Sequence, residues 1–182
     1  MTQTPLRATV RLLGEHRVFA GLAAAGLLLR LLTTAAYHNA IMFYGDSWEY
    51  LIVAQHLRPD VTRPYGYSAL LRLLSWTHTL VSVVVVQHLL GIVLGWLVYR
   101  FLVGRGLRRG IAALGAAPLL LDGYQIGIEQ YLMSETLFET ALVCALLLVV
   151  RRRLSAGAAA ASGLLVAAAM VTRTIGIPAC AK

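Results

Sequence analysis

Five apolar stretches, near 18–37, 79–103, 110–127, 132–150 and 156–177, decide what this chain can fold into. Each is long enough, or nearly so, to cross about 30 Å of hydrocarbon at about 1.5 Å per helical residue. Inside lipid the backbone must satisfy its own hydrogen bonds, which makes such runs helical. The rest of the composition agrees: 59% of the 182 residues are hydrophobic and 13% charged, too much apolar surface for a soluble domain of this size to hide. The expected fold is all-α, a polytopic membrane bundle of about five transmembrane helices. The third run is the weakest, because Pro118 and Asp122 interrupt it; short spans of this kind tilt or hide among neighbours.

Charge gives the bundle an orientation. Arg7, Arg11 and Arg17 precede the first run, Arg105, Arg108 and Arg109 follow the second, and Arg151, Arg152 and Arg153 follow the fourth. All three clusters fall on one side, which the positive-inside rule makes cytoplasmic. The opposite side receives Asp46, Glu49, Asp60, Asp122, Glu129, Glu135 and Glu139, so of the acidic residues only Glu15 stays inside. The net charge of +8 is thus topology signalling, and no nucleic-acid partner is expected. Residues 1–17 read as a cytoplasmic segment, 18–177 as the membrane module with an outer loop at 38–78, and 178–182 as a tail. The first run contains Arg30 and is long for a signal peptide, which favours an uncleaved helix in the plasma membrane.

Candidate chemistry gathers on the outer side. Asp46 and Glu49 lie three residues apart, on one side of a helical turn. The structural explanation is a cap, with Asp46 at the start of a helix over Asp46–Leu57 and Glu49 reaching back. A carboxylate so held is also oriented to take a proton from an alcohol. Trp48, Tyr50, Leu51 and Ile52 offer interfacial anchorage. Arg63-Pro64-Tyr65-Gly66-Tyr67 reads as a turn, and Ala69–Trp76 as a second interfacial helix. Ser134 suits the N-cap of the fourth span, with Glu135 in its first turn and Glu139 one turn on, as the structural partner of an arginine. Arg30, deep in the first span, calls for such a partner, with Glu139 or Asp122 as candidates. Arg63 and Arg173 are near the outer interface, where arginine either snorkels or grips a lipid phosphate bidentately.

Other features are weaker. His38, His56 and His78 share the outer segment, but their spacing matches no compact metal motif. Cys144 and Cys180 suggest neither a zinc site nor a disulfide framework. No nucleotide-binding loop or zincin motif occurs, so the sequence requires no metal and leaves the cofactor unknown, a divalent cation being one option. Gly91 and Gly95 form a Gly-xxx-Gly pair, read first as packing within the chain and second as a dimer face.

Several of these segments, taken in order, resemble a known family. Gly45-Asp46-Ser47 with Tyr50 and Ala54, then Arg63-Pro64-Tyr65-Gly66-Tyr67, is similar to the first outer loop of GT-C fold glycosyltransferases, nearest the bacterial protein-mannosyltransferase-like and Rgt-type enzymes. Met133-Ser134-Glu135-Thr136-Leu137-Phe138 resembles the start of their fourth helix, and Thr172-Arg173-Thr174-Ile175-Gly176 the segment that closes their fifth. The resemblance runs from about 18 to 177. It implies sugar transfer from a polyprenyl-phosphate donor to an acceptor hydroxyl outside the membrane. The family's general base would fall on Asp46, with Glu49 in support, and donor phosphate or substrate contacts on Arg63, Tyr67, Glu135 and Arg173. Two departures stand out: Pro64-Tyr65 replaces the usual Pro-Pro, and Arg173-Thr174 the usual Arg-Pro.

Family members are longer, so the resemblance implies the N-terminal part of such an enzyme, able to hold the lipid-linked sugar without turning it over alone. A C-terminal half or a partner membrane protein would complete it. The competing expectation is a non-enzymatic membrane subunit that packs on a partner through the Gly91/Gly95 face. A small transporter ranks third, since no repeat is visible.

Overall fold

The computed structural model describes residues 16–56, 64–151 and 154–173. In chain order its helices are α1 (Arg17–Tyr37), α2 (Asp46–His56), α3 (Tyr65–Leu74), α4 (Val81–Gly104), α5 (Arg109–Leu121), α6 (Gly123–Gln130), α7 (Glu135–Val149) and α8 (Ala156–Thr172), with a 3₁₀ turn at Ser75–Thr77. Extended pairing among the described residues is confined to one parallel bridge, Ile41 to Tyr131.

Two helices, α1 and α4, are long and apolar enough to cross a membrane; α5 and α6 make a third candidate if their 42° bend is counted as one broken span. At 15 and 17 residues, α7 and α8 are shorter than a full crossing. Leu27, Leu28, Leu31 and Leu32 of α1 stay exposed, the arrangement of a helix whose solvent is lipid.

Sequence explains the breaks. Asp122 leaves the α5 helix in extended backbone and caps α6, its carboxylate accepting from the Tyr124 and Gln125 N–H groups at 3.3 and 3.4 Å. That role, rather than a bond to Arg30, is what Asp122 performs. Pro64 occupies the N-cap of α3 with φ −64° and ψ 147°, so the helix begins directly at Tyr65. The expected turn through Tyr67 is therefore the first turn of α3, which starts four residues before the expected Ala69. His38 and His78, with φ of 57° and 55°, close α1 and the 3₁₀ turn through their backbone N–H groups. These two histidines end helices.

Two buried clusters hold the bundle. At the arginine-rich end, Tyr99 of α4 packs with Ala112, Ala113 and Ala116 of α5, and Phe19 of α1 stacks on its ring at 4.2 Å. At the other end, Tyr50, Ala54, Tyr67, Leu71, Val83, Val84 and Leu132 join α2 and α3 to the top of α4. Gly91 and Gly95 point inward between these clusters. A Cβ on Gly91 would collide with the Glu129 carboxylate, and one on Gly95 would lie 2.6 Å from the Leu120 side chain. That face packs inside the chain, the first of the two readings of the Gly-xxx-Gly pair.

Candidate functional site

Polar side chains collect in two places. The deeper one is built around Arg30, whose side chain is 1% exposed. Ending α5 at Leu121 leaves its last carbonyls without helical donors. Arg30 supplies them, Nη1 donating to Leu120 O at 2.7 Å and Nη2 to Leu119 O at 3.1 Å, while Nη1 also donates to Gly26 O of its own helix at 3.2 Å. Its remaining donors grip Glu129 on α6, Nε to Oε2 at 2.7 Å and Nη2 to Oε1 at 2.8 Å. All five guanidinium N–H groups are thereby used. Arg30 thus pairs with Glu129, not with Glu139 or Asp122, because the 42° bend at Asp122 sets α6 beside α1 and α4.

Around this pair lie residues the sequence reading passed over. His88 donates from Nδ1 to Glu129 Oε2 at 2.8 Å, and its Nε2 meets Gln130 Oε1 at 3.1 Å. Gln130 is pinned in that orientation by donating to Asn39 O at 2.9 Å. Gln125 donates to Glu139 Oε2 at 2.9 Å and to Glu129 Oε1 at 3.4 Å, so the second carboxylate joins the network through an amide. Gln87 donates to the Glu129 and Tyr131 carbonyls at 2.7 and 2.8 Å, the free end of α6. The Gln87-His88 pair inside an otherwise apolar span was the available signal, since polar groups at that depth need partners.

The second collection lies around α2, α3 and the start of α7. Ser47 is fully buried; its Oγ accepts the Phe43 N–H and donates to Leu132 O, both at 2.8 Å. Tyr50 turns inward rather than anchoring at the interface, its hydroxyl 2.9 Å from Ser134 Oγ. Ser134 makes that contact in place of the expected side-chain cap on α7. The two motifs, Gly45–Tyr50 and Met133–Phe138, are therefore joined side chain to side chain. Asp46 and Glu49 occupy the first turn of α2, where the helix dipole favours negative charge, and both are partly exposed.

Tyr67 is fully buried against Tyr50, with ring centroids 4.9 Å apart, and its hydroxyl donates to Gln87 Oε1 at 2.9 Å. Burial, with Tyr50 and Glu135 nearby, pushes the Tyr67 phenol well above its ordinary range. Glu135 pairs with Arg173 at 3.4 Å, and Arg173 lies over the Phe138 ring at 5.8 Å. Glu135 Oε2 and the adjacent Thr136 Oγ1 are buried and have no hydrogen-bond partner among the described residues. Three sequence candidates, Tyr67, Glu135 and Arg173, thus share one neighbourhood; Arg63 lies outside the described residues.

Directly below Arg173 runs an apolar groove of about 540 Å³ between α7 and α8, lined by Gly66, Leu137, Ala141, Cys144, Leu165 and Thr172 among others. Gly66 makes the junction possible, since a Cβ there would come within 2.8 Å of Val171 O. A smaller cleft of about 220 Å³, between α2, α3 and the start of α4, contains none of the candidate residues. Among the described residues no three His, Cys, Asp or Glu side chains are grouped as metal ligands.

Fold and site together define an all-helical protein with the apolar helices of a membrane protein and a polar cluster at one end. Comparison with protein-family models, with curated proteins and with solved structures gives no match.

Proposed function

We propose that the chain is the N-terminal membrane module of an inverting glycosyltransferase of the plasma membrane, moving a sugar from a polyprenyl-phosphate donor to an acceptor hydroxyl on the outer face. In this reading the bundle crosses the membrane five times, with α5–α6 as one bent span and α7 and α8 as short, tilted ones. The observation that carries it is the position of Arg173. It stands at the head of an apolar groove, more than a third exposed, opposite a carboxylate with one oxygen unengaged. An isoprenoid chain fits the groove, and its phosphate would take the guanidinium in place of Glu135.

The chemistry then falls to the neighbouring helix. Asp46 accepts the proton of the acceptor hydroxyl, with Glu49 supporting it. The oxygen attacks the anomeric carbon as the bond to the phosphate oxygen breaks. Polyprenyl phosphate leaves with the electron pair, its charge held by Arg173. Ser47 and Tyr50 support this assignment by tying α2 to the Leu132–Ser134 segment that precedes Glu135.

The test is Asp46→Asn in the protein made from its full reading frame, assayed with a polyprenyl-phosphate sugar. Turnover should fall about 10²- to 10⁴-fold with donor binding retained. Unchanged turnover at normal expression would remove Asp46 as the base.

A further inference from the structure

The opposite end of the bundle carries a site that the sugar-transfer reading does not use. Between α4 and α7 lies a groove of about 380 Å³, lined by Leu97, Phe101, Leu147 and Leu148 and bordered by Arg100 and Arg151. Its third neighbouring cation is already committed. Arg105 donates to Val150 O at 3.1 Å and lies over the Phe101 ring at 5.7 Å, joining the ends of the two helices and closing the groove.

Arg100 and Arg151 are both exposed. Arg100 packs over the Trp96 ring at 5.8 Å, and among the described residues neither arginine meets a carboxylate. None is near, because the described acids all sit toward the other end of the bundle. On α7 the last of them, Glu139, is separated from Leu148 by about 13 Å of helix rise. Two guanidinium groups without a counter-ion, at the mouth of an apolar slot between membrane helices, match a phosphodiester above acyl chains.

We infer that the groove between α4 and α7 is a binding site for an anionic phospholipid, with Arg100 and Arg151 on the headgroup phosphate and Leu97, Phe101, Leu147 and Leu148 along one acyl chain. Zwitterionic lipids fit the slot equally well but cancel the phosphate charge with their own cation. The site therefore selects for net negative headgroups. It shares only Cys144 with the groove beside Arg173, and its test needs no sugar donor.

The experiment is native mass spectrometry of the purified chain after equilibration with equimolar phosphatidylglycerol and phosphatidylcholine. One phosphatidylglycerol adduct should be retained several-fold over phosphatidylcholine, and Arg100→Gln/Arg151→Gln should bring the ratio to about one. Leu148→Trp, which keeps both charges and fills the slot, should lose the same adduct and serves if the double variant does not fold. A preference that survives either variant overturns the inference. So does complete displacement by millimolar inorganic phosphate, which would make the site one for free anions.

Discussion

Arg30–Glu129 and Arg173–Glu135 are the same ion pair in two opposite surroundings. The first is closed: both side chains are at most 1% exposed, the bonds are two-pronged, and every guanidinium donor is spent. The second is open: its side chains are 37% and 21% exposed, the single contact is 3.4 Å, and one carboxylate oxygen lacks a partner. A buried pair is costly to break, because the survivor is left charged and dry. A half-exposed pair contributes little and can change partners. Closure marks the joint that holds α6 against α1 and α5, and openness leaves Arg173 able to change partner, as the proposed donor site requires.

The largest effect should come from breaking the closed pair. Glu129→Ala strands Arg30 and His88 and should cost about 3–5 kcal/mol, seen as a collapse of thermal stability in detergent. Replacing both partners, as in Arg30→Met/Glu129→Leu, should recover part of the loss. A melting curve for Glu129→Ala like that of the native chain would erase the distinction between the pairs. Gly91→Ala comes next. Its methyl group intrudes on the Glu129 carboxylate, for about 1–3 kcal/mol of overpacking.

That closed pair also shows where sequence reasoning stops. The spans at Arg17–Tyr37 and Val81–Gly104 follow from apolar length alone; α7 begins directly after Ser134, and α8 begins at 156, where the fifth apolar run starts. Arg30 advertised its need for an anion, but four carboxylates lie between Asp122 and Glu139. Which one it meets depends on a 42° bend at Asp122, and a bend angle is a tertiary quantity. The cluster around Tyr67 and Glu135 was more legible. Tyr67, Glu135 and Arg173 came from motif order, yet the amide of Gln87 that connects Tyr67 to Glu129 is invisible without the packing of α3 on α4.

The open pair should respond in the reverse way. Arg173→Gln removes a weak ion pair, so the melting temperature should scarcely move. Affinity for a synthetic polyprenyl phosphate should fall about 10- to 100-fold, the worth of a charge-assisted contact of about 1.5–3 kcal/mol. Glu135→Gln should leave that affinity unchanged or raise it, since it withdraws the competitor for the guanidinium. If Arg173→Gln instead unfolds the chain and leaves binding intact, the pair is structural and the comparison fails.

Tyr67 lies between the two sites and gives the smallest effect. Tyr67→Phe removes one hydrogen bond to Gln87, worth about 1 kcal/mol at neutral pH. Its pH dependence carries more information. The folded phenol holds its proton above the unfolded value of 10.0, chiefly through burial. Between those two values the unfolded chain binds fewer protons than the folded one, so stability falls as pH rises above 10. The native chain should therefore lose stability on alkaline titration, and Tyr67→Phe should lose less of it, so that the two curves converge with rising pH. Parallel curves would mean that Tyr67 ionises freely in the folded state, and that the link between the closed pair and the open one is looser than a buried Tyr67–Gln87 bond requires.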